Sequence, residues 1–408
     1  MANLILFDTE ARDHLLPLTA TRPMANLRVG ILTIAEKWAL SLNGPVSWIT
    51  KDYLHGKYPI QIAGANYLIS AGVLPTPSLC QRIERLALNE ALILGDELIA
   101  AHLSSDQIQC LVDDVEIEQL TAITPGEEIE IHRISRLWDL IQYNDRELRS
   151  DFELLTRGRT SVPVPASNRV TGAAHIFIEE GASIEHCIIN ASAGPVYIGK
   201  NAEVMEGSML RGPVAVMEGA IVKMGAKIYG PATIGPGCRA GGEIARSIMM
   251  ANSNKGHDGF LGDSVLGEWC NLGADTNNSN LKNNYSEVKL WDYKTQRFER
   301  SGLQFCGLIM GDHAKCGINT MFNTGTVAGV FANIYGGGYQ RNFIPDFAWG
   351  GADSHYRTYK IAEAIATAEM VMSRRKVVLD EHDRQILTKI FEDTTSFRTW
   401  DTLNHTTK

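Results

Sequence analysis

The sequence lacks a long apolar run, an excess of positive charge and paired cysteines. No stretch approaches the roughly 20 apolar residues of a membrane-spanning helix, and no basic start leads into an apolar run, so we expect a cytoplasmic protein that contacts no membrane. The net charge of -9 argues against nucleic acid as a partner, because phosphate backbones select basic surfaces. The seven cysteines include no CxxC pair, which is typical of a reducing compartment.

The length of 408 residues exceeds one ordinary hydrophobic core, so we expect two or three domains. In the first part of the chain, short apolar or alternating runs predict strands at residues 4–7, 46–49, 91–94 and 129–131. Apolar residues at helical spacing predict helices at 31–42 and 77–88, which together with the strands indicates an α/β domain over 1–160. Two prolines mark a linker at 161–167, because proline neither continues a helix nor donates to a sheet.

The strongest pattern is an apolar residue at every sixth position. These positions are Ile198, Val204, Leu210, Val216, Val222, Ile228 and Ile234. A compact residue follows each of them by four places: Ala202, Ser208, Val214, Ala220, Ala226, Ala232 and Cys238. A period of six fits neither an α-helix nor a single strand, so it predicts short strands that turn a corner at a fixed interval. Such a chain is a parallel β-helix, in which stacked coils bury a continuous apolar column.

The hexad pattern dominates from about 176 to 334, within a domain that we place at 168–355, and it is interrupted twice, at about 243–259 and at about 279–308. Both interruptions predict segments that leave the coil, and loops on a rigid scaffold are where sites usually form. Over 356–408 the apolar spacing becomes helical, with helices predicted at 359–374 and 380–391. We expect this tail to cap the open end of the β-helix, whose strand edges would otherwise be exposed.

One histidine stands where the first interruption ends. His257 follows Lys255 and Gly256 and directly precedes the resumption of the hexads, so a rigid wall would hold its ring at one edge. Imidazole titrates near neutral pH and is therefore suited to act as a general base. The alternative is an ordinary histidine in a surface loop.

The run NKGHDGFLGDSVLGEWCNLGADTNNSNLK resembles the acetyltransferase half of the bacterial bifunctional N-acetylglucosamine-1-phosphate uridyltransferase/glucosamine-1-phosphate acetyltransferase family. The shared motifs are the Gly-His pair, Gly262-Asp263, the Asn-Leu-Gly-Ala run at 271–274 and a loop bearing Asn280. The run TRPMANLRVGILTIAEKW is similar to shorter sugar nucleotidyltransferase-like relatives of the family. The resemblance implies a nucleotidyltransferase-like α/β domain over 1–160, a left-handed parallel β-helix over 168–355, C-terminal helices over 356–408 and a homotrimer.

The resemblance also implies a role for each matching residue in acetyl transfer from acetyl-CoA to an amino sugar phosphate. His257 would take the proton from the attacking amine, and backbone N–H groups at Gly273 and Ala274 would stabilise the thioester oxygen. Arg211 matches a family arginine that binds the sugar phosphate, a task suited to a planar guanidinium. The other implied contacts to sugar, acetyl group or CoA are Asn271, Asn280 and Lys282.

Each of these contacts has a plainer alternative. Arg211 and Lys282 can be solvated side chains on the outer wall, and the asparagines can form a ladder along the coil. The chain also departs from the family three residues after the histidine, where Phe260 replaces a common tyrosine. The loss of that hydroxyl bears on which sugar is bound.

The first domain departs further from the family pattern. Nucleotidyltransferases of this type hold a triphosphate on a glycine-rich loop after the first strand, but here no glycine occurs before Gly30, so backbone N–H groups cannot approach phosphates as closely. Arg22, Arg28 and Lys37 would supply positive charge for a nucleotide. Asp96, in a Gly-Asp pair at the end of a strand, would bind Mg²⁺, although such a pair is also an ordinary turn.

Zinc is a minor hypothesis. The γ-class carbonic anhydrases, which are also left-handed β-helices, bind zinc through histidines that converge from neighbouring coils. His175, His186 and His313 do not repeat the spacing of that family.

We therefore expect a sugar-phosphate acetyltransferase that uses acetyl-CoA in the synthesis of a UDP-N-acetylglucosamine-type nucleotide sugar, as in cell wall biosynthesis. A second activity, sugar-1-phosphate nucleotidyl transfer, would belong to the first domain and would require Mg²⁺. The substrates would be a sugar phosphate and a nucleotide sugar. Two alternatives stay open: a nucleotidyltransferase whose β-helix only oligomerises or regulates, and a non-catalytic scaffold.

Overall fold

The computed structural model describes residues 2–117, 120–126 and 128–403, which form two compact units. The first consists of Met1–Leu15, Thr21–Leu27 and Leu32–Asp139. The second consists of Leu16–Ala20, Arg28–Ile31 and Leu140–Lys408.

The first unit is built on a mixed six-stranded sheet in the order β2-β1-β3-β6-β5-β7, beside a two-stranded ribbon of β4 and β8. The strands are β1 (Asn3–Phe7), β2 (Val46–Ile49), β3 (Ala65–Ser70), β4 (Val73–Leu74), β5 (Glu90–Leu94), β6 (Glu97–Ser104), β7 (Thr121–Ile123) and β8 (His132–Arg133). Strand β1 is parallel to both β2 and β3, so their carboxyl ends meet at one edge of the sheet. Three of the four strands predicted from apolar runs are confirmed. The fourth, at 129–131, is wrong, because the chain becomes extended only where β8 pairs with β4.

The helices of this unit begin at well-defined caps. They are α1 (Ile34–Ser41), α2 (Pro77–Glu84) and α3 (Ser105–Val112), with 3₁₀ turns at Glu10–Leu15, Met24–Asn26 and Asp52–Leu54. Thr33 and Glu36 form a capping box, which is why α1 begins three residues later than its apolar spacing suggests. Thr76 caps α2, with Pro77 at the first position, where its missing N–H costs nothing.

The second unit is a β-helix with three strands in most of its coils. The first face contains β10 (Ile176–Ile178), β13 (Val196–Ile198), β16 (Val214–Val216), β19 (Ala232–Ile234), β22 (Ile248–Ala251), β25 (Val265–Glu268), β30 (Leu308–Met310), β33 (Thr326–Ala328) and β35 (Phe343–Ile344). The second contains β11 (Ser183–Ile184), β14 (Glu203–Val204), β17 (Ile221–Val222), β20 (Arg239–Ala240), β23 (Asn254–Lys255), β26 (Asn271–Leu272), β31 (Lys315–Cys316), β34 (Asn333–Ile334) and β36 (Ala348–Gly350). The third contains β9 (Arg169–Thr171), β12 (Ile188–Asn190), β15 (Met209–Arg211), β18 (Lys227–Tyr229), β21 (Glu243–Ala245) and β24 (Phe260–Gly262), and two later strands, β27 (Asn277–Asn278) and β32 (Met321–Phe322), form a separate pair.

The hexad residues line the axis of this β-helix. All seven apolar positions from Ile198 to Ile234 are at most 2% exposed, and the compact positions between them are equally buried. Successive coils pair in parallel, for example Val216 with Ile234. The predicted parallel β-helix is therefore confirmed.

The first face of the β-helix is also buried on its outer side. Its outward residues Ala215, Thr233 and Ile309 are fully buried. Helix α4 (Leu137–Thr156) contributes to the cover, because Asn144 Oδ1 accepts from the Gly30 N–H at 2.8 Å and the Gly30 carbonyl accepts from Thr233 at 2.8 Å. The second and third faces remain as the exposed walls.

The predicted departure from the coil at 243–259 is wrong. These residues form β21, β22 and β23 within the coil. Ile234 pairs with Val216, 18 residues earlier, but with Met249, only 15 residues later, so one coil is three residues shorter than the coil before it. Two of these three residues are lost at a tight corner between β20 and β21, where Gly242 has a φ of +71° and a Cβ on Gly241 would lie 2.4 Å from the Gly256 carbonyl oxygen. The third is lost at the next corner, between β21 and β22.

The second predicted departure is confirmed. After β27 the chain leaves the coil and forms an antiparallel hairpin of β28 (Lys289–Asp292) and β29 (Arg297–Arg300), before β30 resumes beside β25. Residues 279–307 are called the excursion below. Trp291 in the hairpin stacks on Phe343 of the last coils at a centroid distance of 4.3 Å, which fixes the hairpin against the β-helix.

The C-terminal residues form the predicted helical tail. Strand β37 (Arg357–Thr358) runs antiparallel to β36, and α5 (Ile361–Ser373), α6 (Glu381–Asp393), a 3₁₀ turn at Thr395–Phe397 and α7 (Thr399–Leu403) follow. Phe391 of α6 packs edge-to-face on Phe347 of the last coil at 5.0 Å. Across the described ranges, no helix is both long and apolar enough to cross a membrane.

Candidate functional site

His257 lies at the corner between the second and third faces, in the turn from β23 to β24. Its side chain is exposed, and within the described part of the chain its imidazole forms no hydrogen bond. The preceding Lys255 is only 2% exposed, and its Nζ donates to the carbonyls of Gly241 at 3.0 Å, of Asp258 at 3.2 Å and of His257. Burial lowers the pKa of Lys255 to about 8. The turn that carries His257 is therefore held from the inside by a buried ammonium group.

The next coil brings the Asn-Leu-Gly-Ala run to the same corner. The Asp275 N–H donates to the Asp258 carbonyl at 3.0 Å, so the two turns are in direct contact. The Gly273 N–H donates to the Cys316 carbonyl at 3.1 Å and is occupied within the coil. Among the described residues the Ala274 N–H has no acceptor, so of the predicted pair only Ala274 has a free donor at this corner.

Asp263 connects the third face to the excursion. Both of its carboxylate oxygens accept from the Arg246 guanidinium at 2.7 Å, and Oδ2 also accepts from Asn280 Nδ2 at 2.6 Å. These hydrogen bonds raise the pKa of Arg246 above its usual value, and its guanidinium lies over the Phe305 ring at 5.1 Å. Asn280 thus fixes the start of the excursion, while its predicted contact to sugar or acetyl group stays a prediction.

The other predicted polar contacts also have partners within the protein. Asn271 Oδ1 accepts from Asn254 Nδ2 at 2.7 Å along the second face, which is the ladder arrangement named as the alternative. Lys282 Nζ donates to the Glu287 carbonyl at 2.9 Å, inside the excursion. Their roles in substrate binding remain predictions.

Two columns of outward side chains continue from β24 along the third face. In register, Phe260 lies beside Glu243, which lies beside Lys227. The neighbouring column runs from Ala245 through Tyr229 to Arg211. The Tyr229 hydroxyl donates to Glu243 Oε1 at 2.6 Å, and burial together with this bond raises the pKa of Tyr229 to about 12. The Glu243 N–H donates to the Gly259 carbonyl at 3.1 Å, so Glu243 adjoins the His257 turn.

Arg211 is not brought to His257. It lies on β15, three strands from β24, which is a separation of roughly 14 Å at the usual strand spacing. Instead it lines a pocket of about 640 Å³, together with Lys227, Tyr229, Arg149 and the ring of Pro231. We call this the Arg211 pocket.

A second pocket of about 390 Å³ lies in the first unit, at the edge where the parallel strands end. Its lining includes Thr9 after β1, Ser70 at the end of β3, and Asp96 and Glu97 in the turn from β5 to β6. Arg133 completes this site, with Nη1 2.6 Å from Glu97, and its buried Nε and Nη2 have no hydrogen-bond partner in the described ranges. Asp96 thus lies where ligands bind in sheets of this kind, and Arg133 was missed because no motif accompanies it.

The cations predicted to bind nucleotide lie elsewhere. Arg22, Arg28 and Lys37 are 5%, 7% and 1% exposed, and none of them lines the pocket that contains Asp96. After β1 the chain forms a 3₁₀ turn in place of a glycine-rich loop, held by Asp8, which accepts from Arg12 at 3.0 Å and from the Met24 N–H at 2.8 Å. A nucleotide role for the three cations stays a prediction.

The ranges that the structure describes contain no metal-binding cluster, and six of the seven cysteines are buried. No group of three or more His, Cys, Asp or Glu side chains there is placed to hold a metal ion. His313, one of the three histidines considered for zinc, is buried and stacks on Phe331 at 4.7 Å. All seven cysteines are free, and burial raises the pKa of thiols in the coil, to about 12 for Cys238.

Comparisons with known proteins agree with this two-part organisation. Residues 4–160 match the sugar nucleotidyl transferase family model. The chain is 38% identical over 87 residues to a bifunctional protein GlmU of Methanocaldococcus jannaschii and 37% identical over 95 residues to a bifunctional sugar-1-phosphate nucleotidylyltransferase/acetyltransferase of Sulfurisphaera tokodaii. It is also 33% identical over 145 residues to an uncharacterized acetyltransferase, YaiX, of Escherichia coli O6:K15:H31.

These matches are partial. The first two cover 21% and 23% of this chain and the same shares of the relatives, so the matched part spans about a fifth of their length. The third covers 35% of this chain and 62% of the relative. The predicted resemblance to sugar nucleotidyltransferases and their bifunctional acetyltransferase relatives is confirmed, as is a nucleotidyltransferase-like first domain.

Proposed function

We propose that the second unit transfers an acetyl group from acetyl-CoA to the amino group of a phosphorylated amino sugar, in the synthesis of a UDP-N-acetylglucosamine-type nucleotide sugar. The observation that carries this proposal is the corner at which an exposed imidazole, His257, adjoins the turn with the free Ala274 N–H. The base and the donor both lie on a rigid coil, so neither must be ordered when the substrates bind.

The reaction follows from these two groups. The sugar amine attacks the thioester carbonyl while His257 accepts the amine proton. The carbonyl oxygen gains negative charge in the tetrahedral intermediate, and the Ala274 N–H donates to it. When the intermediate collapses, the C–S bond breaks and the imidazolium returns the proton to the CoA sulfur. The products are the N-acetylated sugar and free CoA thiol.

The acetyltransferases among the relatives support this proposal, as does the Gly-His motif at the corner. Asn271 and Lys282 are proposed contacts for acetyl-CoA or the sugar, because both lie on the coil or excursion beyond His257. Homotrimer formation and a cytoplasmic location, where acetyl-CoA and nucleotide sugars are made, belong to the same proposal.

The proposal is tested by mixing the protein with acetyl-CoA and an amino sugar phosphate and following free thiol. We expect turnover that His257→Gln abolishes, and unchanged turnover in the control His175→Gln, since His175 is an exposed histidine at the start of the β-helix. Absence of turnover with every phosphorylated amino sugar would contradict the proposal.

A second candidate function, sugar-1-phosphate nucleotidyl transfer by the first unit, is favoured by the pocket at the carboxyl ends of the parallel strands. Asp96 and Glu97 would hold Mg²⁺ there, since carboxylate oxygens are its preferred protein ligands. When bound, Mg²⁺ would neutralise charge on the phosphates. Arg133 in the same pocket supplies a guanidinium for a phosphate group.

This activity is tested by the release of pyrophosphate from a nucleoside triphosphate and a sugar 1-phosphate. We expect release that depends on Mg²⁺ and is lost in Asp96→Asn. Silence in this assay and in the thiol assay would leave the non-catalytic scaffold as the remaining alternative.

A further inference from the structure

We infer that Arg239 and Arg375 together form a binding site for a phosphate group on the second unit. Arg239 lies on β20 in the second face, and Arg375 follows the end of α5. The site goes beyond the proposed acetyl transfer, because neither residue belongs to the corner that carries His257. The placement of the two guanidinium groups and the charge around them carry the inference.

The two arginines lie where the first face of the β-helix turns into the second. Arg375 Nη1 donates to the Gly237 carbonyl, in the turn that leads into β20. Arg239 follows two residues later, and its neighbours Cys238 and Ala240 are fully buried, so the side chain of Arg239 lies on the outer wall. The fold thus brings two guanidinium groups from distant parts of the sequence to one corner.

These two like charges have no carboxylate to neutralise them. Burial lowers the pKa of Arg375, and the positive charge of Arg239 lowers it further. The Arg239 side chain forms no hydrogen bond or ion pair with any described residue, and the Arg375 guanidinium donates only to the uncharged Gly237 carbonyl in the described part of the chain. Glu218, at the same corner one coil earlier, is exposed and pairs with neither arginine among the residues described. Two cations held together in this way, one of them partly buried, are stabilised when an anion joins them.

A plainer explanation for Arg375 is attraction to the negative end of the α5 dipole. Arg374 and Lys376 fit that explanation, since both are exposed cations just after the helix. Arg375 differs from them because it is partly buried and donates to the coil instead of to the last carbonyls of its own helix. Two guanidinium groups on neighbouring elements match the oxygens of a phosphate, which accept such hydrogen bonds in pairs.

The phosphate has two sources that present the same oxygens. One is acetyl-CoA, because Arg239 pairs with Asn254 in register and His257 follows three residues later, roughly 10 Å from Arg239 at usual strand dimensions. In CoA thirteen bonds join the sulfur to the first phosphorus, a span of roughly 16 Å when extended, so a thioester at His257 leaves its diphosphate within reach. The other source is a free phosphate compound that binds apart from the reaction.

The first experiment measures binding without turnover and distinguishes the two sources. Isothermal titration with CoA, and separately with inorganic pyrophosphate, compares wild type with the double variant Arg239→Gln/Arg375→Gln. We expect at least one affinity to be at least about tenfold weaker in the variant, since each charge-assisted contact contributes roughly that factor. Weaker binding of CoA assigns the site to the cofactor, whereas weaker binding of pyrophosphate alone assigns it to a free phosphate compound. The control Arg374→Gln/Lys376→Gln removes two exposed cations of the same segment and should change neither affinity. Unchanged affinity for both ligands in the first variant would overturn the inference.

The second experiment uses Arg239→Gln alone, because this side chain has no partner among the described residues and its loss leaves the fold intact. Without ligand the variant should melt at or above the temperature of wild type, since one of two repelling charges is gone. The ligand assigned by the titration, CoA or pyrophosphate, should then raise the melting temperature of wild type more than that of the variant. A lower melting temperature without ligand, or an equal increase with it, would overturn the inference. Neither experiment requires turnover, so a failure of acetyl transfer in the thiol assay leaves this site standing.

Discussion

Lys255 Nζ donates a hydrogen bond to the main-chain carbonyl of His257, two residues farther along the chain. The same ammonium group is bonded to carbonyls of Gly241, one coil earlier, and of Asp258. A buried lysine thus ties together two coils at the corner where the proposed base lies. Lys255 is a positioning residue in this account, because it acts on the substrates only through the His257 turn.

Replacement of this lysine by methionine should impair acetyl transfer more than it impairs folding. Lys255→Met leaves three carbonyls without their donor, at a cost of about 1–3 kcal/mol for a buried unsatisfied group. We expect kcat to fall by at least about tenfold because the turn loses its fixed geometry. Thiol release and urea unfolding measure the two effects.

The matched control is Lys315→Met. Lys315 is another buried lysine of the coil, bonded to the His313 carbonyl at 2.8 Å, and burial lowers its pKa to about 8 as well. Its loss should destabilise the protein without a specific loss of turnover. Equal losses of kcat in the two variants would show that Lys255 has only a structural role.

The stability of the protein should respond to Lys255 in alkaline solution. Its pKa is about 8 in the folded protein and 10.5 in an unfolded chain, so between these values the unfolded state binds more protons. The free energy of unfolding contributed by this residue therefore rises as the pH increases from about 8 to 10.5. The difference in stability between wild type and Lys255→Met, measured by urea unfolding at pH 7.5 and pH 10, should shift in favour of wild type. A shift in the opposite direction would contradict the assignment of a buried, desolvated ammonium.

The excursion should loosen when Asp263 is replaced. Asp263→Ala leaves Arg246 without its ion pair and Asn280 without its acceptor. Because Asp263 is buried but Arg246 is half-buried, we expect a loss of about 2–3 kcal/mol, less than a fully buried pair would cost. Limited proteolysis within 279–307 should become faster. The control Asp145→Ala removes an exposed pair with Arg149 and should cost about 0.5 kcal/mol or less. Similar losses of stability in the two variants would contradict the role of Asp263 in holding the excursion.

The course of the β-helix was predictable because its hexads act through a simple constraint. Wherever three short strands stack into coils, each face needs an inward apolar residue and each corner needs a compact residue before it. The apolar series from Ile198 to Ile234 was therefore enough to predict the coil. The short coil was not predictable from that rule. At the tight corner of Gly241 and Gly242 the chain turns with fewer residues but stays within the coil. The hexad positions shift as a result, and in the sequence this shift looks the same as a loop that leaves the coil.

This error also explains why the Arg246–Asp263 pair was missed. The two residues are 17 positions apart, which is one coil in this part of the molecule, as in the pairing of Ala245 with Gly262. Because 243–259 was predicted to lie outside the coil, Arg246 and Asp263 were not expected to lie side by side in neighbouring coils. The burial of Lys37 could not be predicted either, because a lysine on the inner side of a short helix and a lysine that faces a ligand have the same local sequence.

The location of His257 could be predicted, but its surroundings could not. A histidine that directly precedes the resumption of the hexads must lie at a corner of the coil. The Gly241 carbonyl that Lys255 contacts comes from the preceding coil, and this contact could not be predicted. Glu243 likewise becomes a neighbour of the corner only through strand register.

The most direct test of the account is the rate of CoA thiol release from acetyl-CoA in the presence of an amino sugar phosphate such as glucosamine 1-phosphate, measured for wild type and for His257→Gln. The account predicts turnover by wild type and a loss of at least about a hundredfold in kcat for the variant, with the folded structure retained by circular dichroism. A variant that acetylates as fast as wild type would contradict the role of this imidazole.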